Sequence, residues 1–357
     1  MSPRVSVLIP YYNDERFLRQ SIESVLAQTF ADFELVLVNH ASTDGSRALA
    51  RSFDDPRIVP VDMPVNHGAG GGLVVAEFLK VARGEYVKFF CADDVMRPEC
   101  LSLLAGFMDS HPEDGLVFGD LAYVGVGGAA LGARWSAERP RFSFTMSETD
   151  CLGLMADGWS VLPWSGSMVR RAALGRIELD ATLVMMFDMS VWARLLLNGE
   201  RMAFVESVVA DYRVHDGQVS ATSRLAEAVA SSLLERQVYF RIFQECSDVA
   251  LVKKVFPGSR YVAMLETAAD IPLAVALRYL ADGQDVTWAY QFVHDALQRA
   301  EGRSLAERRF GVTVAAFREL VRGRAEPPRK RSRWNEFRDK WLRRGKRGHG
   351  QSNGFSL

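Results

Sequence analysis

Gly84-Glu85-Tyr86-Val87-Lys88-Phe89-Phe90-Cys91-Ala92-Asp93-Asp94-Val95-Met96-Arg97-Pro98 is the stretch on which the fold of this chain turns. Tyr86 to Phe90 is apolar or aromatic except at Lys88, so it reads as a short buried strand. Cys91 reads as a small core residue of the same strand, which then runs out on two adjacent carboxylates. Side chains alternate along a strand, so Asp93 and Asp94 do not both continue its apolar face. Two like charges side by side repel, and two explanations fit the pair. Either a cation or a set of donors neutralises it, or it opens a turn and caps the helix that follows Pro98.

Upstream, Val5 to Ile9 is a β-rich run stopped by Pro10, and Tyr11 to Asp14 is a loop. Phe17, Leu18, Ile22, Val25 and Leu26 then fall at helical spacing over 17–28. Phe33 to Val38 is a second buried strand, followed by a polar loop, Asn39 to Gly45, in which Ser42 or Thr43 is placed to cap a helix through Ala50. Arg57 to Val61 is a third strand, and Leu73 to Ala82 a helix that leads into the strand at Tyr86. Strands alternating with helices at this spacing imply parallel βαβ units, whose ligands sit at the carboxyl ends of the strands. The loops at Pro10, Asn39 and Asp93 share that edge. Neither a GxGxxG turn after the first strand nor a glycine loop ending in Gly-Lys-Ser/Thr occurs. The Gly68 to Gly72 cluster reads as a turn, so a nucleotide here would be held by side chains and metal.

Downstream of Pro98 a helix to about Ser110 precedes Leu116 to Asp120, a strand with an acidic end, and Leu121 to Leu131 reads as a glycine-rich hairpin. The weakly patterned region 134–157 reads as a loop suited to an acceptor. Trp164 to Arg171 reads as a strand entering a short helix. Phe187 to Leu197 is an amphipathic helix with Asp188 in its first turn and Gly199 as its stop, Met202 to Val209 is a strand, and Asp211 to His215 closes the α/β region.

With 48% hydrophobic residues, 357 positions suffice for a large core and an extension. A net charge of −1 argues neither for nor against a polyanionic partner, but its distribution is uneven. Segment 324–347 holds eleven Lys and Arg against three acidic residues, +8, which leaves −9 for the rest. Cys91, Cys100, Cys151 and Cys246 show neither a CxxC pair nor a dense framework, which fits reduced thiols in a cytoplasmic protein. No apolar run reaches the ~18 residues of a spanning helix, so membrane contact is expected to be peripheral.

With those pieces placed, the chain resembles the family 2 glycosyltransferases of bacterial surface-polysaccharide type. Val5-Ser-Val-Leu-Ile-Pro-Tyr-Tyr-Asn13, Ser24-Val-Leu-Ala-Gln-Thr-Phe30, Ser42-Thr-Asp-Gly45, Gly84-Glu-Tyr86 with Asp93-Asp94 and Pro98, and Tyr212-Arg-Val-His215 follow the family's order and spacing over roughly 215 residues. The resemblance implies a GT-A type α/β fold, a Rossmann-like, mostly parallel sheet flanked by helices. It implies a metal-dependent, inverting transfer of sugar from a nucleotide-sugar donor to a glycan or lipid-linked acceptor. By the same resemblance Asp94 holds Mg2+ or Mn2+ on the donor diphosphate, Asp93 contacts the ribose or shares the metal, and His215 closes the site. Pro10, Tyr12, Asn39 and His40 line the donor site, and Asp188, an alternative helix cap, serves as base. Asp120 and Trp164 lie on the acceptor side, where Trp164 would stack on a sugar or belong to the core. A cation held by carboxylates stabilises the charge that develops on a departing diphosphate.

Three departures stand out. Asn39-His40 occupies a place that is usually doubly acidic, Phe187 stands where a Glu often precedes the base, and Cys91 replaces a common Asp. They keep alive a non-catalytic scaffold of the same fold, while a sugar nucleotidyltransferase would want a basic, glycine-rich turn in place of Pro10 to Asn13. The resemblance assigns 1–222 to the catalytic domain. Beyond it, 225–245, 261–281, 286–300 and 305–321 read as helices of an α-helical extension, 223–325, with breaks at Pro257-Gly258, Asp282-Gly283 and Gly302. A basic tail, 326–357, follows. Within it Trp334, Phe337, Trp341 and Leu342 share one helical face among Arg333, Lys340, Arg343 and Arg344. Such a face over 327–347 suits an anionic membrane surface, each cation contributing on the order of 1 kcal/mol, better than nucleic acid; a disordered solubilising tail is the alternative.

Overall fold

The computed structural model describes residues 2–67, 71–139, 142–183, 186–218, 235, 237–282 and 287–322. Most of the Gly68 to Gly72 turn, most of the helix expected over 225–245 and the whole basic tail with its expected membrane face lie outside them. The chain divides into two compact units, Met1–Pro272 and Leu273–Leu357.

The first unit is a mixed α/β fold built on one sheet. β1 (Val5–Tyr11), β2 (Phe33–Asn39), β3 (Ile58–Asp62) and β4 (Tyr86–Phe89) run parallel, connected through α1 (Glu15–Leu26), α2 (Ser46–Arg51) and α3 (Gly72–Val81). The second half contains β5 (Val95–Met96), α4 (Cys100–Ser110), β6 (Asp114–Val124), β7 (Ala130–Arg134), α5 (Glu148–Ala156), β8 (Ser167–Arg170), α6 (Arg171–Leu174), α7 (Phe187–Leu197) and β9 (Arg201–Arg213). The strand order is β3-β2-β1-β4-β8-β6-β9-β5, with β7 on the side of β6. Every residue of β2 and nearly all of β1 is buried, which is why their sequences are largely apolar, with Ser6 and Glu34 bonded to each other. Leu18, Ile22 and Val25 of α1 and Leu101, Leu104 and Met108 of α4 close on Val5, Val7 and Ile9 of β1 in one core. Each such side chain contributes ~1.5–3 kcal/mol by leaving water.

Several expectations are revised. Ser42 and Thr43 do not cap α2, which starts after Gly45 without a side-chain cap. The strand expected at 202–209 continues to Arg213, because its end pairs with β6 as far as Val124, while Asp211 and Ala210 also pair with β5, a strand too short to show a period. The hairpin is displaced toward the C-terminus, with Gly128 at positive φ in its turn. Segment 134–157 is not all loop: Ser147 and Asp150 form a capping box that starts α5. Cys91 lies beyond the end of β4 and is only partly buried.

After residue 237 the first unit continues in short helical pieces, Phe240–Gln244, Val249–Val255 and Arg260–Ala263. A capping box of Thr267 and Asp270 breaks the helix expected over 261–281, and it resumes as Ile271–Ala281. In the second unit Thr287–Gln298, Ala300–Phe310 and Val314–Arg322 are helices. Gly302 lies inside one of them, and the break falls at Gly311, whose left-handed backbone ends the helix. Among the described residues no helix is long and apolar enough to cross a membrane.

The opening glycine of the decisive stretch is fixed by a buried carboxylate. Glu34 on β2 accepts from Ser6 Oγ at 2.6 Å, from the Arg83 backbone N at 2.7 Å and from the Arg83 guanidinium at 2.6 and 2.8 Å. Burial alone would raise its pKa, but these donors hold it below the usual range. The Gly84 N–H then donates to the same Ser6 hydroxyl at 2.8 Å, so its Cα lies against β1. A Cβ there would press on the Ser6 backbone N and stand 2.7 Å from the Val5 carbonyl carbon. Gly84→Ala therefore destabilises the protein by about 1–3 kcal/mol, read as a lower urea midpoint at unchanged m-value; an unchanged midpoint would contradict the contact.

Candidate active site

β1 leads to β2 and β3 on one side, while β4 and the remaining strands lie on the other, so the carboxyl edge between β1 and β4 is a topological switch point. The loop after β4 delivers Asp93 and Asp94 there. Asp94 is 1% exposed. Its Oδ2 accepts from Ser165 Oγ at 2.5 Å and its Oδ1 from the Arg213 backbone N–H at 2.9 Å. Burial, and next the charge of Asp93, push its pKa well up, against the pull of those two donors and of Lys88. Asp93 Oδ2 lies 3.0 Å from His215 Nε2, and its backbone carbonyl accepts from Arg213 Nε at 2.8 Å.

Arg213 organises this corner through both its backbone and its side chain. Its other guanidinium nitrogens donate to the Val126 carbonyl at 2.8 Å and to Gln20 Oε1 at 2.6 Å. The cation lies over the Phe17 ring at 4.9 Å, and that ring also meets His215 at 4.7 Å. Asp14, at the start of α1, feels both Asp93 and His215, and burial pushes its pKa up to about 6.

Cys91, Asp93 and Asp94 place ligand atoms within 4.8 Å of one another, the one such group among the described residues. Burial and the two carboxylates push the Cys91 thiol up, and its sulfur is the softer donor, whereas the carboxylate oxygens suit a hard divalent cation. Each Asp94 oxygen has one donor in place and a further lone pair to offer. The pair therefore fits a cation, and the helix-cap alternative falls away because α4 shows no side-chain cap bond.

The ends of β1 and β2 form a second, tightly bonded corner. Asn13 takes a left-handed backbone, and its Oδ1 accepts from the N–H of Thr43 at 2.8 Å and of Asp44 at 3.3 Å, while Ser42 Oγ accepts from the Asn13 N–H at 3.2 Å. Asn39 donates to Asp62 Oδ1 at 2.9 Å and accepts from the Ser42 N–H at 3.0 Å. Asp62 also receives Arg47 and Arg51, and the Arg47 bond above all pulls its pKa far down. His40 Nε2 accepts from the His67 N–H at 2.9 Å, which places the imidazole proton on Nδ1, and burial lowers its pKa. Pro10 is half-buried, and the Tyr12 ring stands exposed.

Trp164 stacks on Phe89 at 4.1 Å and meets Trp192 and Phe187 at 5.4 and 6.0 Å. Asp188, beside Phe187, accepts from the Met189 N–H at 2.7 Å. Burial chiefly, with Glu235 adding, pushes its pKa up to about 6. Residues 164 and 165 thus link the two carboxylate stations, since Trp164 packs toward α7 and Ser165 binds Asp94. Asp120 is buried, with Oδ1 accepting from the Leu121 and Ser136 N–H groups at 2.9 and 3.0 Å and Oδ2 from Ser136 Oγ at 2.7 Å. The structure brings Asp93, Asp94 and His215 together, gathers Pro10, Tyr12, Asn39 and His40 at the β1–β2 edge, and ties Asp120 to the turn after β7. Sequence reading missed Ser165 and Arg213 as partners of the acidic pair. Lys88, a cation inside a buried strand, was the signal that something polar lay beneath.

Residues 6–177 match the model of glycosyl transferase family 2. An uncharacterised glycosyltransferase of Methanocaldococcus jannaschii is 25% identical over 216 residues, 59% of this chain and 71% of that protein. Another, of Nostoc sp., is 28% identical over 245 residues, 64% of this chain and 71% of that protein. The poly(ribitol-phosphate) beta-N-acetylglucosaminyltransferase TarS of Staphylococcus aureus is 31% identical over 116 residues, 32% of this chain and 20% of TarS. The crystal structure of S. aureus TarS 1–349 in complex with UDP shares the fold, with a TM-score of 0.54 at 17% identity over 100% of this chain and 94% of that one.

Arg213→Lys cannot serve the Asp93 carbonyl, the Val126 carbonyl and Gln20 together, because a lysine lacks the planar fork. It should lower stability by about 2 kcal/mol, measured by chemical denaturation; a loss within error would show these bonds to be replaced by water.

Proposed function

We propose, from the match of residues 6–177 to the model of glycosyl transferase family 2, that the chain moves a sugar from a nucleotide-sugar donor to a hydroxyl of a glycan or lipid-linked acceptor, with inversion at the anomeric carbon. The observation that carries this reading is the Asp93–Asp94 pair at the switch point, with Asp94 buried and held by Ser165 and Arg213. The groups assigned to the reaction all fall within residues 1–222, the proposed catalytic domain. Asp188, Arg213 and His215 lie beyond the matched segment, so their roles rest on geometry.

Asp93 and Asp94 would hold a divalent cation, Mg2+ or Mn2+, whose charge would offset the charge of a nucleoside diphosphate leaving group. His215 fixes the rotamer of Asp93 and closes the site on that side. The β1 and β2 ends, with Pro10, Tyr12, Asn39 and His40, receive the nucleoside. Trp164 and Asp120 stand on the acceptor side, where Trp164 presents an aromatic wall and Asp120 holds the turn that shapes it. Asp188 accepts the proton of the acceptor hydroxyl as that oxygen attacks the anomeric carbon opposite the leaving group. A pKa raised to about 6 suits a base that works near neutral pH.

Calorimetric titration of UDP, GDP, dTDP and CMP, with and without Mn2+, tests the reading. One of the four binds with Mn2+ present, and Asp94→Asn weakens that binding roughly 100-fold or more. Binding of none under any condition would favour the scaffold. Asp188→Asn lowers kcat about 10²–10⁴-fold and leaves nucleotide affinity unchanged. In the wild type the protonated Asp188 cannot accept a proton, so kcat/KM falls about tenfold per pH unit below about 6 and levels off above it. A profile flat from pH 5 to 8 would exclude this base.

A further inference from the structure

Lys88 is fully buried in β4, between Val7 of β1 and Met168 of β8. Its ammonium donates to the Ser165 carbonyl at 2.6 Å and to the Phe89 carbonyl at 3.0 Å, and lies 5.4 Å from the Phe90 ring centre. Taking an ammonium out of water costs several kcal/mol, and methionine, of similar length and uncharged, would fill such a place without that cost. What the ammonium adds is a grip on the backbone of one residue. Ser165 is held at three points: its carbonyl accepts from Lys88, its Oγ accepts from the Cys91 N–H at 3.2 Å, and the same Oγ donates to Asp94 Oδ2 at 2.5 Å.

We infer that Lys88 and Ser165 are positioning residues that set the direction of the Asp94 carboxylate, so that its free lone pairs are presented for a cation that it would share with Asp93. Neither of them would itself be a ligand of the cation. Ser165 takes one lone pair of Oδ2, and the Arg213 N–H takes one of Oδ1. The carboxylate is thereby locked in its plane with one lone pair on each oxygen left over. Without the Lys88 grip the 164–166 turn loses its anchor to β4. Without the Ser165 hydroxyl Oδ2 loses its donor and the carboxylate turns about its own axis. Partners of this outer kind typically change metal affinity 10–100-fold.

The inference rests on reading Asp94 as a cation ligand, and the test separates the two. Mn2+ alone is titrated calorimetrically into the full chain as wild type, Ser165→Ala, Ser165→Thr and Lys88→Met, and the thermal midpoint of each is recorded. Ser165→Ala weakens Mn2+ binding about 10–100-fold, Lys88→Met about tenfold, and Ser165→Thr, which keeps the hydroxyl, binds as the wild type does. A purely structural role would lower the thermal midpoint and leave the Mn2+ Kd where it was. Wild-type Kd in folded Ser165→Ala overturns the inference while the metal reading stands. A wild type that binds no Mn2+ overturns both. If Lys88→Met does not fold, Ser165→Ala, which removes a single oxygen, decides alone.

Discussion

A carboxylate that is 1% exposed must be met by donors, and in this fold that requirement ties three distant parts of the chain together. Asp94 arrives on the loop after β4. Its two donors come from residues 71 and 119 positions later, the Ser165 hydroxyl and the Arg213 N–H. Neither donor brings a full opposite charge, so burial and the neighbouring Asp93 still push the Asp94 pKa up. A divalent cation is the partner that would reverse that balance, because charge rather than a dipole is what the pair lacks. The strain of keeping two acids together and the capacity to hold a cation are one property.

The parts of this arrangement that were legible in the sequence are those written in local pattern. β1, β2 and β4 announce themselves as buried apolar runs, and the acidic pair marks where β4 meets the ligand edge. The capping box that starts α5 is equally local, yet the helix behind it lacks a distinct apolar face to mark it. β5 has only two residues and exists because β9 pairs with it, so no periodicity could reveal it. Ser165 and Arg213 lie inside recognisable segments, but their function depends on which residue they reach across the sheet. Asp120 shows the opposite case: an acid at a strand end whose oxygens already meet the Leu121 and Ser136 N–H groups and the Ser136 hydroxyl.

The unusual residues at the β2 end are explained by their neighbours. Asn39 donates to Asp62 and accepts from the Ser42 N–H, two bonds of opposite polarity that an amide makes and a carboxylate cannot. An aspartate at 39 would instead face Asp62 as a like charge. His40 works as an acceptor for the His67 N–H, which requires the neutral ring that burial favours. At α7, Phe187 packs with Trp164, and acidity near Asp188 comes from Glu235, which accepts from the Met186 N–H at 2.8 Å. The departures thus form locally consistent sets.

The Asp94 to Arg213 bond also imposes an order in time. The two residues are 119 positions apart, and at a synthesis rate of roughly 5–20 residues per second Asp94 leaves the ribosome on the order of ten seconds before its donor is made. During that interval β1, β2 and β4 have every residue they need to pair, while the acidic loop has no Arg213 to enclose it and stays hydrated. A nascent chain therefore carries a growing sheet with an open, uncommitted site at its edge. The last strand of the sheet, β9, is also the one that shuts it.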